Sequence, residues 1–167
     1  MRVTMRYRNN ARLDELISRG DSINDKEIIV GPKGTRNRNL AKIHEYGVTI
    51  AVTPAMRGFL ASQGLHLKPS TTYITIPERS FIRAGWDENS RVLLNEAQTR
   101  LADYVEGRSN AETFLNTTGD KVARAIREFA RDLQNPANHP FTVERKGFDD
   151  PLIDSGEMVR SIDYEIQ

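Results

Sequence analysis

The chain has 167 residues, of which 38% are hydrophobic and 28% charged, with a net charge of +1; it is long enough for one domain with its own core and short for two. Its apolar runs last only a few residues and its opening Met-Arg-Val-Thr-Met-Arg-Tyr-Arg has no apolar stretch, which argues against a bilayer-spanning helix and a signal peptide and predicts a soluble, intracellular single domain over 1–167. Cysteine is absent, which excludes disulfides, thiolate chemistry and cysteine-ligated zinc or iron–sulfur sites.

Charge is uneven along the chain. Residues 1–42 hold ten Lys/Arg against five Asp/Glu, and residues 43–167 hold fourteen against eighteen. Such asymmetry fits a nucleic-acid face, a solvated surface, or subunits that stack with a basic surface on an acidic one.

Val3, Met5 and Tyr7 alternate with Arg2, Thr4, Arg6 and Arg8, the period of a half-buried strand. Leu13, Leu16 and Ile17 share a helical face that Gly20 ends, and Glu27–Val30 reads as a strand stopped by Gly31 and Pro32. Residues 32–39 (PKGTRNRN) contain no large apolar side chain and predict an exposed, mobile basic loop. Leu40–Tyr46 reads as a short helical or irregular segment ending at Gly47, and Val48, Ile50 and Val52 alternate as a strand. Thr53-Pro54 has the form of an N-cap with proline at the first helical position; Met56, Phe59 and Leu60 share that helix's face, and Gly64 stops it. Thr71–Ile76 is β-branched and aromatic, and Pro77 terminates the strand it predicts.

Two longer amphipathic helices are expected between 87 and 134. Asp87 caps the first, with Leu94, Ala97, Leu101 and Tyr104 at helical spacing and Gly107 at its end. Ser109 and Glu112 form a capping box for the second, with Leu115, Val122, Ile126, Phe129 and Leu133 on one face and Gly119 as a break or bend. Their short connection predicts antiparallel packing. Asn135–Pro140 is a loop, Phe141–Glu144 a short strand, Asp154 the cap of a short helix through Val159, and Ile162, Tyr164 and Ile166 a final strand. The fold class is α+β, a mixed or antiparallel sheet packed against the two longer helices.

Chemistry-bearing patterns are few. His44, His66 and His139 stand in no metal-ligand spacing, and His44-Glu45 lacks the second histidine of a zincin helix. The phosphate-loop, dinucleotide and nucleophile-elbow glycine motifs are absent. Asp149, Asp150, Asp154 and Glu157 offer hard oxygen ligands for a divalent cation, but acids at a helix N-terminus account for Asp154 and Glu157 more simply. Neither an enzyme nor a cofactor is expected. Lys33, Arg36, Arg38 and Lys42 are positioned to contact phosphates or an acidic partner; without interleaved aromatics they do not suit base stacking, and contact with protein is favoured over DNA.

Three segments carry a resemblance. Ile43-His44-Glu45-Tyr46-Gly47, Ile76-Pro77-Glu78-Arg79-Ser80-Phe81-Ile82-Arg83 and Pro151-Leu152-Ile153-Asp154-Ser155-Gly156-Glu157-Met158, the last followed by Ser161-Ile162, resemble in order and spacing the virion-morphogenesis proteins of tailed bacteriophages, known as tail-completion, neck or minor tail proteins. Ser80 stands where the family often has Pro and Ser155 where it often has Thr. The resemblance implies a non-enzymatic structural subunit of a ring at the head-proximal end of the tail, which finishes the tail tube and joins it to the head. It implies a virion location after assembly in the host cytoplasm and six as the usual subunit number. The partners implied are other neck, tail-terminator, tail-tube or connector proteins, with genomic DNA passing through the channel and no membrane. Arg79, Phe81, Arg83 and Asp154 are the candidates for subunit contact: Phe81 and Ile82 anchor the segment to the core, while Arg79 and Arg83 pair either with a carboxylate of the next subunit or within the chain. The alternative reading is a non-specific nucleic-acid-binding protein using the basic residues near the start of the chain.

Overall fold

The computed structural model describes residues 11–167, so the strand expected over 2–8 lies outside the described residues. Seven helices and four strands follow in the order α1 (Ala11–Asn24), β1 (Ile28–Pro32), α2 (Thr35–Tyr46), β2 (Val48–Ala51), α3 (Pro54–Ser62), β3 (Tyr73–Ile76), α4 (Ile82–Val105), α5 (Ala111–Asp132), α6 (Pro140–Lys146), α7 (Glu157–Arg160) and β4 (Ile162–Ile166). The class is α+β, as expected. The strands form two separate antiparallel ribbons, β1 with β4 (Ile28 opposite Ile166, Pro32 opposite Ile162) and β2 with β3 (Val48 opposite Ile76, Ala51 opposite Tyr73).

Helices α4 and α5 make the central hairpin. Tyr104 stacks on Phe114, Lys121 pairs with Glu96, and Gly85 lies under Phe129, a register that runs antiparallel. Leu115, Gly119, Ala123, Ile126 and Ala130 line one face of α5, and the β1–β4 ribbon packs on α5. Three of these residues are glycine or alanine, which lets a strand approach closely. The Tyr164 ring lies directly over Gly119, and its hydroxyl donates to Asn116 Oδ1 at 2.9 Å. Arg127 donates to the carbonyl of Ile162 at 2.8 Å and ties the same helix to the same strand. The core at the other end of α5 gathers Ala41, Phe81, Ile126, Ala130, Leu152, Met158, Val159 and Ile162.

Several expectations are corrected. Residues 32–39 are not a loop: only Lys33 and Gly34 separate β1 from α2, whose polar first turn continues into the docked residues Ala41 and Glu45. Asp87 does not start α4, which begins five residues earlier; Leu94 is half exposed and Leu101 about one-third exposed, while Gly85 and Tyr104 are its buried positions. Gly119 does not break α5, which runs uninterrupted from Ala111 to Asp132; it accommodates Tyr164. The cap of α5 is Asn110, whose side chain accepts from Thr113 N–H, in place of Ser109. Phe141–Glu144 lies in α6, where His139 accepts from Phe141 N–H, Pro140 occupies the first turn and Gly147 closes the helix. Asp154 caps nothing; Gly156 precedes α7, and Ser155 Oγ accepts from Glu157 N–H.

A methyl group built on Gly119 falls 2.4 Å from Tyr164 Cδ2. Gly119→Ala is therefore expected to lower stability by about 1–3 kcal/mol despite alanine's better helix propensity. Gly20→Ala in α1, where the methyl meets nothing, is expected to gain up to about 1 kcal/mol. Urea denaturation of the two variants checks the opposite signs.

Candidate functional site

Helix α2 ends with a carboxylate in its last turn. That is the wrong end for its own dipole, which favours acids at the N-terminus. Helix α4 has the complementary deficit: its N-cap position is Phe81, which has no acceptor side chain, and its first turn contains no acid. Glu45 resolves both. It is 3% exposed; Oε2 accepts from the N–H groups of Phe81 and Ile82, each at 2.9 Å. Oε1 accepts from Ser80 Oγ at 2.8 Å and from Arg83 N–H and Nε, each at 3.0 Å. A side chain from one helix thus caps the start of another, satisfying donors that a helix N-terminus otherwise leaves open. Burial pushes the Glu45 carboxyl up, but the hydrogen bonds from Ile82, Arg83 and Ser80 outweigh it and hold the group below the ordinary carboxylate range.

The surrounding residues lock this junction. Arg83 Nη2 donates to the Glu45 carbonyl at 2.9 Å and to Glu78 Oε1 at 2.8 Å, and its guanidinium lies 4.8 Å from the centre of the Tyr46 ring. Arg79 N–H donates to the His44 carbonyl at 2.7 Å. Between the two segments Gly47 turns the chain at φ 66°, and a Cβ there would stand 2.8 Å from Glu78 N; both the left-handed backbone and the close approach require glycine. The third segment supplies the floor, with Leu152, Met158, Val159 and Ile162 in the cluster that holds Phe81. The three segments are therefore one structural junction.

Among the subunit-contact candidates, Arg79 and Phe81 are corrected. Arg79 is 5% exposed, with Nε on the Pro136 carbonyl at 2.7 Å and Nη2 on the Ala137 carbonyl at 2.9 Å, so its donors serve its own chain. Phe81 is fully buried, anchoring the segment in place of meeting a partner. Arg83 retains a half-exposed side chain, with its ion pairs made to Glu45 and Glu78. Asp154 is exposed.

Lys33, Arg36, Arg38 and Lys42 are all exposed, but they do not form one patch. Lys33 is held by Asp163 at 2.6 Å. Arg38 and Lys42 are one turn apart on α2, while Arg36 lies about 120–160° around that helix. The acids 149–157 do not converge either: Asp149 accepts from Asn138 N–H, Asp150 from Gln134, and among the described residues no three His or acidic groups are placed to share a metal ion.

An open groove of about 790 Å³ lies between the start of α4 and the end of α5. Its exposed rim carries the acids Glu78, Glu88, Glu128 and Asp132 with Gln134 and Asn135, and its less exposed lining mixes Ala84, Ala125, Phe129 and Leu133 with the polar Arg79, Ser80 and Asn89. Glu45 and this rim are the features that sequence patterns did not single out. The misplaced charge of Glu45 at a helix end was a usable signal; the rim had none, since its acids come together only through the hairpin.

No known protein family, characterised protein or solved structure matches the chain. No helix among the described residues is long and apolar enough to cross a membrane.

His44 lies near the charges of Arg79 and Lys146, and its buried Nδ1 has no hydrogen-bond partner among the described residues. Burial, followed by those two cations, lowers its pKa from 6.5 to about 4. The unfolded chain takes up a proton below pH 6.5 that the folded chain refuses until about 4, so stability is full above 6.5 and falls by about 2–3 kcal/mol on acidification across that window. A His44→Gln variant is expected to flatten this part of a pH series of urea midpoints. Glu45, with its pKa depressed, adds stability present above its unfolded value of 4.5 and lost below it. Glu45→Ala strands buried donors and is expected to cost about 3–5 kcal/mol at neutral pH, read by the same denaturation.

Proposed function

We propose that this chain is a non-enzymatic subunit of a ring at the head-proximal end of a bacteriophage tail, a tail-completion or neck protein of the virion that joins tail to head. The observation that carries the reading is the coincidence of the resembling segments with the junction. Residues 43–47, 76–83 and 151–162 lie far apart in the chain, yet they meet around Glu45 and Phe81. The likeness to the virion-morphogenesis family thus falls on the contacts that determine the fold.

The surface adds support. The chain of 19.0 kDa exposes 11974 Å², against about 8,400 Å² for a compact monomer of that mass. Ten fully extended residues would account for only about 1,900 Å² of the excess. Leu13, Ile17, Phe59, Tyr73, Val92 and Leu94 are each more than half exposed. Exposed surface on this scale, with these apolar side chains in it, suits a chain that finishes its burial against neighbours. A ring is built from a heterologous interface, one surface against a different one, and DNA in its channel would be met through phosphate without base reading.

Static light scattering over a concentration series, with and without purified tail tubes, tests the reading. Discrete ring-sized species or recruitment to tube ends is the expected outcome. A monomer that ignores tubes and binds duplex DNA, with affinity falling steeply as salt rises, would overturn it in favour of non-specific nucleic-acid binding through the exposed Arg36, Arg38 and Lys42.

A further inference from the structure

The groove between the start of α4 and the end of α5 has an occupant written in the same sequence. Its less exposed lining includes Ala84, Phe129 and Leu133 beside the polar Arg79, Ser80 and Asn89, and its exposed rim carries Glu88, Glu128 and Asp132. Glu88, Glu128 and Asp132 are exposed and make no ion pair among the described residues. A complementary ligand is a segment with apolar side chains on one side and cations on the other, free of acids. Residues 1–8 meet that description: Val3, Met5 and Tyr7 alternate with Arg2, Arg6 and Arg8, and no Asp or Glu is present. In an extended chain the first set shares one face, and arginine stems are long enough to bend from the other face to rim carboxylates. We infer that the groove receives residues 1–8 of a second copy of this chain.

The geometry favours the second copy over the chain's own residues. Helix α1 is fixed at Arg19, which donates to the Tyr104 carbonyl at 2.8 Å while the Tyr104 hydroxyl donates to the Arg19 carbonyl. Tyr104 stacks on Phe114 at the end of the hairpin remote from the groove. Glu128 is fourteen helical residues from Phe114, about 21 Å, and Glu88 is sixteen from Tyr104, about 24 Å. Ala11–Ser18 are exposed throughout, so the first two turns of α1 are not buried along the hairpin. The three residues from Ala11 back to Arg8 span only about 10 Å when extended. A neighbour has no such leash. Each copy then donates residues 1–8 and accepts another's, a head-to-tail contact between unlike surfaces that closes into a ring when the rotation allows.

This deepens the ring reading and rests on it for closure alone; the contact itself is tested separately. Because the chain has no native cysteine, one chain carrying Met5→Cys and another carrying Ala125→Cys are mixed and oxidised. A disulfide between the two different chains is expected. A bond formed only within a single chain carrying both substitutions, or none at all, overturns the inference. As a second measurement, a fluorescent peptide of residues 1–9 is titrated into full-length R2E/R6E/R8E protein. Saturable binding is expected, weakened at least tenfold when Glu88→Gln, Glu128→Gln and Asp132→Asn are added; unchanged affinity overturns the groove as the site. Cross-linking without recruitment to tail tubes keeps the groove contact and removes the ring reading, and recruitment without cross-linking does the reverse.

Discussion

The carboxylate of Glu45 is the constraint on which the rest of this structure depends. It ends α2, starts α4 and orients Arg83, and through Arg83 it holds Glu78 and Tyr46. A cap supplied by the helix's own sequence would fix only where that helix begins. A cap supplied from another helix also fixes an angle and a distance between two elements 36 to 38 residues apart in the chain. The negative charge is unfavourable at the end of α2 and favourable at the start of α4, so neither helix satisfies its terminus without the other. Burial raises the stakes, because without Glu45 the buried Phe81 N–H would be left without water as well.

Much of the fold was legible in local pattern, and the failures share a physical cause. Val48/Ile50 and Ile162/Tyr164/Ile166 alternate because each ribbon has one face toward the protein, and Thr53-Pro54 carries its own cap chemistry; these need no distant contact. Residues 35–39 have no apolar side chain and read as a loop, yet they are helical because Ala41 and Glu45 dock and the first turn propagates from them. The start of α4 was misplaced at Asp87 because its true cap lies in α2. Phe141–Glu144, short and containing a β-branched pair, is ambiguous by composition, and His139, Pro140 and Gly147 decide it for helix. The site followed the same rule. Phe81 was legible as an anchor from its apolar neighbour Ile82. The internal fate of Arg79 was not, since its acceptors are main-chain carbonyls of Pro136 and Ala137 that no side-chain pattern announces.

The hairpin divides the molecule into two unequal faces. One side of α5 meets the β1–β4 ribbon so closely that only glycine fits beneath Tyr164. Helix α4 covers the other side with little over it, and Trp86, Val92, Leu94, Leu101 and Val105 remain at its surface. Helix α4 has only two buried residues, yet it packs on α5 along its length, from Gly85 under Phe129 through Glu96 paired with Lys121 to Tyr104 stacked on Phe114, and Glu45 fixes where it starts. Helix α1 is tied to Tyr104 through Arg19 and Ser22.

The β2–α3–β3 arm leaves the body through Gly47 and returns through Pro77. Within the arm, Arg57 clasps the carbonyls of Leu67, Lys68 and Thr71, so its tip holds together as a lever. Gly47 adjoins the end of α2 and Pro77 the segment that opens α4, and one carboxylate grips both. A tug on the lever therefore runs down both antiparallel strands into a single rivet. Mechanical load reaching the arm is delivered to the Glu45 junction, and from there along the full axis of α4 to its far end at Tyr104.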